Sequence, residues 1–289
     1  MTLSRLLAGI VRTAAALVLS LGVSTAFAQA EPKTIIFGVA PGPYGDLIKQ
    51  GIQPGLEKKG YKVVLKEFSD WVQPNIALDN GATDANLFQH GIYLEKFSAD
   101  KGLKLSPLIK VPTAGLGFYS NKIKSLDELK KGDVVTLPND PTNLARALRF
   151  LAKLDLLTFK KDIDPTKASE KDIEHNPRGI VFKPLEAAQL PRTLDTATAA
   201  VISGNFAIAA GLDLNKALKL EVLDESIKNL IAVKTADLNK PFVADIKAVV
   251  ESDEFLAVIN DPKRQFYSFQ RPEWIVNRLA AKANSKPAK

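Results

Sequence analysis

The sequence predicts an α/β fold with largely parallel sheets, and three observations carry that prediction. Strand-length apolar runs alternate with helical stretches along the chain, the first of them (residues 33–40) reads as a strand buried on both faces, and no Pro/Gly/Ser-rich linker cuts the chain into beads. Lys33 to Ala40 is thus a strand, Gly42 to Lys59 a helix, Tyr61 to Phe68 a strand, Asn75 to Asn80 a short helix and Ala85 to Phe88 a strand. Ser125-Leu126-Asp127-Glu128 reads as a capping box that starts a helix. Asp133 to Leu137 follows as a strand. Asp140 as N-cap with Pro141 at the first helical position then opens a helix whose core face carries Leu144, Ala147, Leu148, Leu151 and Leu154. Between Leu156 and Arg178 the composition turns charged, which reads as surface connections. Gly179 to Lys183 and Thr198 to Ser203 read as strands, two helical segments close the chain, and residues 281–289 read as a disordered tail.

The first 30 residues look like an export signal. Arg5 and Arg12 precede an apolar run from Ala14 to Val23, and Ala26-Phe27-Ala28 is a small-x-small cleavage pattern, with Ala28-Gln29-Ala30 as a second possible cut. The run is shorter than the roughly 20 apolar residues a spanning helix needs. The chain has no cysteine, which excludes disulfides, thiolate catalysis, cysteine-ligated zinc and a lipid attached through cysteine. A soluble periplasmic protein that is not lipidated is the expectation. Formal net charge is +7 from 39 basic and 32 acidic residues, and the two signal arginines account for part of it. The remaining lysines are scattered among acids with no arginine-rich arm, so no nucleic-acid partner is expected.

Catalysis finds little support. The chain has no His-x-x-His metal spacing, no Gly-x-Ser-x-Gly elbow, no Walker loop and no dinucleotide glycine fingerprint. Asp70 and Asp84 can be posed as an acid/base pair, but aspartates at turn and strand starts usually accept backbone N–H bonds. The expectation is a binding protein, not an enzyme, without metal or cofactor.

Two strings carry the binding chemistry: Asp84-Ala85-Asn86-Leu87-Phe88-Gln89-His90 and Pro138-Asn139-Asp140-Pro141-Thr142-Asn143-Leu144-Ala145-Arg146. They place aromatic and neutral groups beside a cation at a helix start, a combination that suits a small zwitterion whose carboxylate needs an arginine and whose apolar side chain needs aromatic walls. From spacing alone Arg146 reads more readily as a solvated helix arginine and His90 as a structural hydrogen bonder, while Asn143 reads equally as a helix-start hydrogen bonder.

Those strings closely resemble the NlpA/MetQ family of methionine-binding proteins that serve ABC importers. So do Gly42-Pro43-Tyr44-Gly45-Asp46, Phe68-Ser69-Asp70-Trp71-Val72-Gln73-Pro74-Asn75, Lys124-Ser125-Leu126-Asp127-Glu128-Leu129 and Leu185-Glu186-Ala187-Ala188-Gln189-Leu190-Pro191-Arg192, and the resemblance runs from Gly38 to Trp274. It implies a two-lobed, type II-like periplasmic-binding-protein fold, each lobe a mostly parallel sheet flanked by helices. Residues 31–116 and 233–280 would form lobe 1 and residues 117–232 lobe 2, after a signal peptide over 1–28. It further implies an amino-acid ligand, an ABC permease with its ATPase as partners, and a monomer. Carried over by residue, Arg146 would hold the carboxylate, Asn143 and Ser203 would hydrogen-bond the ligand backbone, and Trp71, Phe88, His90 and Tyr93 would shape the side-chain pocket. Two positions depart from the family. Trp71 stands where an aromatic, usually tyrosine, occurs, and Ser203 stands where asparagine is usual, a loss of hydrogen-bonding capacity of about 1–3 kcal/mol. These changes fit methionine with a water beside Ser203, or a changed ligand such as another amino acid or a methionine-containing dipeptide. A periplasmic interaction protein or adhesin is the reading from a third class.

Overall fold

The computed structural model describes residues 33–284. The signal peptide read over 1–28 and the part of the expected tail at 285–289 lie outside the described residues. Residues 281–284, expected in that tail, instead belong to the last helix, Glu273–Asn284.

In chain order the elements are β1 (Lys33–Val39), α1 (Pro43–Leu47), α2 (Gln53–Lys58), β2 (Tyr61–Glu67), α3 (Gln73–Asp79), β3 (Ala85–His90), α4 (Gly91–Lys101) and β4 (Leu105–Lys110). There follow β5 (Leu116–Tyr119), β6 (Val134–Pro138), α5 (Pro141–Ala152), β7 (Thr158–Phe159), β8 (Ile173–His175), β9 (Val181–Leu185), β10 (Ala199–Ser203), α6 (Gly204–Ala209) and β11 (Lys219–Leu220). The chain closes with β12 (Asn229–Lys234), α7 (Pro241–Val250), α8 (Asp253–Ile259) and α9 (Glu273–Asn284).

Two five-stranded sheets result, ordered β2-β1-β3-β12-β4 and β11-β5-β10-β6-β9, while β7 and β8 pair separately. Each sheet is mostly parallel, as expected, with four strands running one way and a single strand opposed to them. β1 runs parallel to β2 and β3, and β6 parallel to β9 and β10, but β12 is antiparallel to β3 and β4, and β5 to β10 and β11. The antiparallel strands β5 and β12 are those that follow a crossing between sheets. Each enters its new sheet against the direction of its neighbours. β12 pairs with β3 and β4 from its first residues, so the return to the first sheet is complete by Asn229 and not at 233 as expected.

Local chemistry accounts for the elements that differ from expectation. The helix expected over 42–59 is continuous but passes through a π-helical turn, Ile48–Ile52, between α1 and α2. Pro54 lies just beyond it, and a proline that offers no N–H and crowds the carbonyl four residues back favours such a widened turn. The capping box at Ser125 forms only a three-residue 3-10 turn, Leu126–Glu128. Asp127 N donates to Ser125 Oγ and Lys124 N to Glu128 Oε1, each one residue away from the reciprocal bonds of a capping box, and Leu129 is already extended with a turn at Gly132 following. A box starts a helix only where residues that can propagate it come next.

The first core lies against β1, whose Ile35, Phe37 and Val39 are buried with Leu47, Ile48, Ile52, Val249, Val250 and Phe255. A second sits under β6 and α5 and includes Val135, Leu137, Leu148 and Leu151. Ala147, Leu148 and Leu151 of α5 are buried as expected, whereas Leu144 and Leu154 are half-buried.

Candidate functional site

Four strand ends converge on one cavity, as open α/β sheets arrange them: the loop after β1, the end of β3, the turn from β6 into α5, and the end of β10. The cavity is lined by Tyr44, Trp71, Phe88, Gln89, His90, Tyr93, Ala114, Asn143, Arg146, Ser203, Asn205 and Asn229. All seven residues singled out in the sequence lie on it.

α5 supplies the cation. Asp140 caps it, accepting from Asn143 N at 3.0 Å and from Thr142 Oγ1 at 3.0 Å. Arg146, one turn on, is buried and not solvated. Its Nε donates to Glu221 Oε1 at 3.0 Å and its Nη2 to Glu221 Oε2 at 2.6 Å, and Glu221 Oε2 also accepts from Leu116 N at 3.0 Å. Arg146 Nη1 reaches Asn143 Oδ1 at 3.4 Å. A guanidinium has five N–H groups, so one on each Nη stays available to an end-on carboxylate.

The same arrangement decides how the neighbouring groups are protonated. Arg146 only donates, so Asn143 Oδ1 faces it and accepts, and His90 Nε2, 3.1 Å from that oxygen, must carry its proton. His90 Nδ1 then accepts from Tyr93 N at 3.2 Å and caps α4. Burial, with the Arg146 charge adding to it, lowers the His90 pKa to about 3, so the ring is neutral near pH 7. Asn143 Nδ2 is engaged by Asp140. Both ends of the Asn143 amide are therefore spent inside the protein, and its observed role is to join His90 to Arg146. Burial also pushes the Tyr44 and Tyr93 hydroxyls up, and it raises the Asp140 pKa against the bonds that α5 gives it.

Aromatic rings form the opposite wall. Trp71 stacks on Phe206 at 5.0 Å between centroids and meets Tyr93 edge-on at 6.2 Å, Tyr93 meets Phe88 edge-on, and Tyr93 Oη donates to Trp71 O. Beneath them lies a buried set of amides. Asn75 Nδ2 donates to Gln89 Oε1 at 2.7 Å, and Asn75 Oδ1 accepts from Gln89 Nε2 at 2.6 Å and Asn86 Nδ2 at 2.9 Å. It ties the segment that carries Trp71 to β3.

Two of the buried polar atoms that have no hydrogen-bond partner among the described residues belong to this cavity: Trp71 Nε1 and Ser203 Oγ. Native proteins rarely bury such groups unsatisfied, so both point to polar atoms on a ligand or an ordered water. Both aspartates posed as an acid/base pair accept backbone N–H bonds, and neither lines this cavity. Asp70 accepts from Val72 N and Gln73 N, and Asp84 from Ile36 N.

The family model described as NlpA lipoprotein matches residues 35–270. The chain belongs to that family. It is 38% identical over 235 residues to the D-methionine-binding lipoprotein MetQ of Salmonella typhi, covering 80% of this chain and 86% of the relative. Among solved structures it resembles a nutrient binding protein from Burkholderia cenocepacia bound to methionine, with TM-score 0.76 and 37% identity over 81% of this chain and 97% of that one. It also resembles a periplasmic substrate-binding protein of an ABC transporter from Coxiella burnetii, with TM-score 0.73 and 35% identity over 78% of this chain and 95% of that one. These relatives correct one expectation. NlpA family proteins are named lipoproteins, against the reading of a free protein without lipid, which had rested on the lack of cysteine in the chain.

Tyr44, Gln89, Ala114, Asn205 and Asn229 line the cavity, and Glu221 stands behind Arg146, without having been singled out from the sequence. Tyr44 lay inside a quoted string, and Asn229 began a stretch read as a crossover strand. Nothing in the sequence marked Asn205 or Glu221.

Proposed function

We propose that this NlpA family protein captures methionine or a close relative of it between its two lobes and hands it to an ABC importer, without doing chemistry on it. Lobe 1 is built on the first sheet and lobe 2 on the second. The observation that carries the reading is the half-used Arg146 fork, set in a closed, aromatic-walled cavity with unpaired donors at Trp71 and Ser203. Arg146 receives the carboxylate, while Ser203 and Asn229 face its backbone groups. Trp71, Phe88 and Tyr93 enclose the apolar side chain. His90 and Asn143 hold the arginine and the aromatic wall in register. The relative named D-methionine-binding and the structural neighbour bound to methionine support the ligand class, and the neighbour from an ABC transporter supports the permease and its ATPase as partners.

Native mass spectrometry of the purified protein followed by calorimetry tests this. A retained or rebound methionine is expected, and Arg146→Lys, which keeps the charge but loses the fork, weakens binding by about tenfold to a hundredfold. No heat with either methionine enantiomer, together with a different retained mass, sinks the methionine reading. An unchanged affinity in Arg146→Lys removes Arg146 as the anchor.

A further inference from the structure

The carboxylate of Glu221 is buried to the same degree as the guanidinium it faces, each side chain being 6% exposed. It takes the Nε/Nη2 edge of Arg146 with both oxygens, and a third bond from Leu116 N fixes it. Its own backbone oxygen accepts from Gln270 Nε2 at 2.7 Å, so the side chain is anchored at both ends. Glu221 does not line the cavity and acts on it only through Arg146.

We propose that Glu221 sets the charge class of the ligand: by neutralising Arg146 from behind, it makes the pocket prefer a molecule of zero net charge with one carboxylate over an anion of the same shape. The proposal rests on Arg146 as the carboxylate anchor. Besides this pair, Asp140 at the start of α5 and Arg149 one turn beyond Arg146 act on this neighbourhood, and Arg149 is in turn offset by Asp164 and Asp224. Arg146 and Glu221 therefore balance one another before a ligand arrives. Uncompensated charge is expensive to bury. A zwitterion adds none, whereas an anion of equal size leaves the closed site one charge out of balance. Without Glu221 the sign of the imbalance reverses, and the anion becomes the ligand that restores neutrality.

The probes are L-methionine and 2-hydroxy-4-(methylthio)butanoate, which replaces the ammonium by a hydroxyl and carries one net negative charge. Calorimetry gives the ratio of their affinities in the wild type and in Glu221→Gln, after circular dichroism shows that the variant is folded. The hydroxy compound lacks the ammonium contacts in both proteins, so that loss cancels between them. The wild type favours methionine, and in the variant the ratio moves toward the hydroxy compound by at least tenfold. If both affinities fall by the same factor, Glu221 is only structural and the proposal is overturned. A wild type that binds the two compounds equally overturns it without any variant, so the test stands even where Glu221→Gln fails to fold; Glu221→Ala then gives the second reading of the ratio. A wild type that binds neither compound removes the anchor itself, an outcome distinct from an unshifted ratio.

Discussion

His90 shows how burial turns a titratable group into a fixed one. Its Nδ1 caps α4, its Nε2–H bonds Asn143, and its pKa of about 3 lies below the ordinary value of 6.5 because burial and the Arg146 charge both oppose a second proton. In the unfolded chain the ring takes a proton below about pH 6.5, and in the folded protein it does so only near pH 3. Stability from this residue is thus complete above pH 6.5 and falls with acidification by up to about 1.4 kcal/mol per pH unit until pH 3. The check is a denaturation midpoint followed from pH 7 to pH 4 in the wild type and in His90→Gln. The variant lacks this part of the slope, while the opposing contribution of Asp140, whose pKa is raised, is common to both. Parallel curves would refute the assignment. How far single residues were legible depended on what surrounded them. Phe88, His90 and Arg146 sit in strings whose order of aromatic, amide and cation already suggested a zwitterion site, and Tyr93 follows the first of them by three residues. Glu221 stands in Lys219-Leu220-Glu221, where a carboxylate reads as a surface charge, and only its distance to an arginine 75 positions away reveals it. The duty of Asn143 was hidden for the same reason: spacing placed it on α5 but could not say that both ends of its amide were taken.

At the scale of elements, the amides of Asn75, Asn86 and Gln89 join α3 to β3 in a place where apolar side chains would ordinarily be found. Asn75 is at the centre, bonded to both of the others and wholly buried. Asn75→Ala strands the Gln89 carbonyl oxygen and removes the shared acceptor of two amide donors. A cost of about 1–3 kcal/mol follows for each group left unsatisfied, and a melting temperature lowered by several degrees. Ligand affinity falls as well, because the Trp71 segment loses its tether. A variant that melts with the wild type would mean that water replaces the lost amide. Periodicity found most strands and the long helix α5, since their apolar positions repeat over many residues. It failed at Ser125, where a start signal precedes too few helix-forming residues, and it was silent on the one opposed strand of each sheet, because whether a strand runs with or against its neighbour depends on where the chain re-enters the sheet and not on its own composition.

At the scale of the whole molecule, the loop after β1 meets the start of α6. Asn205 Nδ2 donates to Pro41 O at 3.1 Å, and Gly42, at φ +127°, lies so near Asn205 that an added Cβ would stand 2.6 Å from its backbone oxygen. Gly42→Ala puts a methyl group into that contact and strains the backbone by about 1–3 kcal/mol. The expected result is a ligand affinity reduced at least tenfold, with a larger radius of gyration in small-angle scattering at saturating ligand than the wild type shows. Equal radii with equal affinity would mean that the two segments separate during binding.

The interleaved sheets also have a consequence in time. A chain is made from its N-terminus, so β1, β2, β3 and β4 exist long before β12, which lies between β3 and β4 in the finished sheet. Until residue 229 has been synthesised, the inner edge of β3 has no partner, and an open strand edge invites pairing with other chains. The second sheet has no such wait, because all its strands fall between residues 116 and 220. The half of the molecule made second is thus the first able to complete its sheet, and the half begun first must be kept from aggregation until the closing strand arrives.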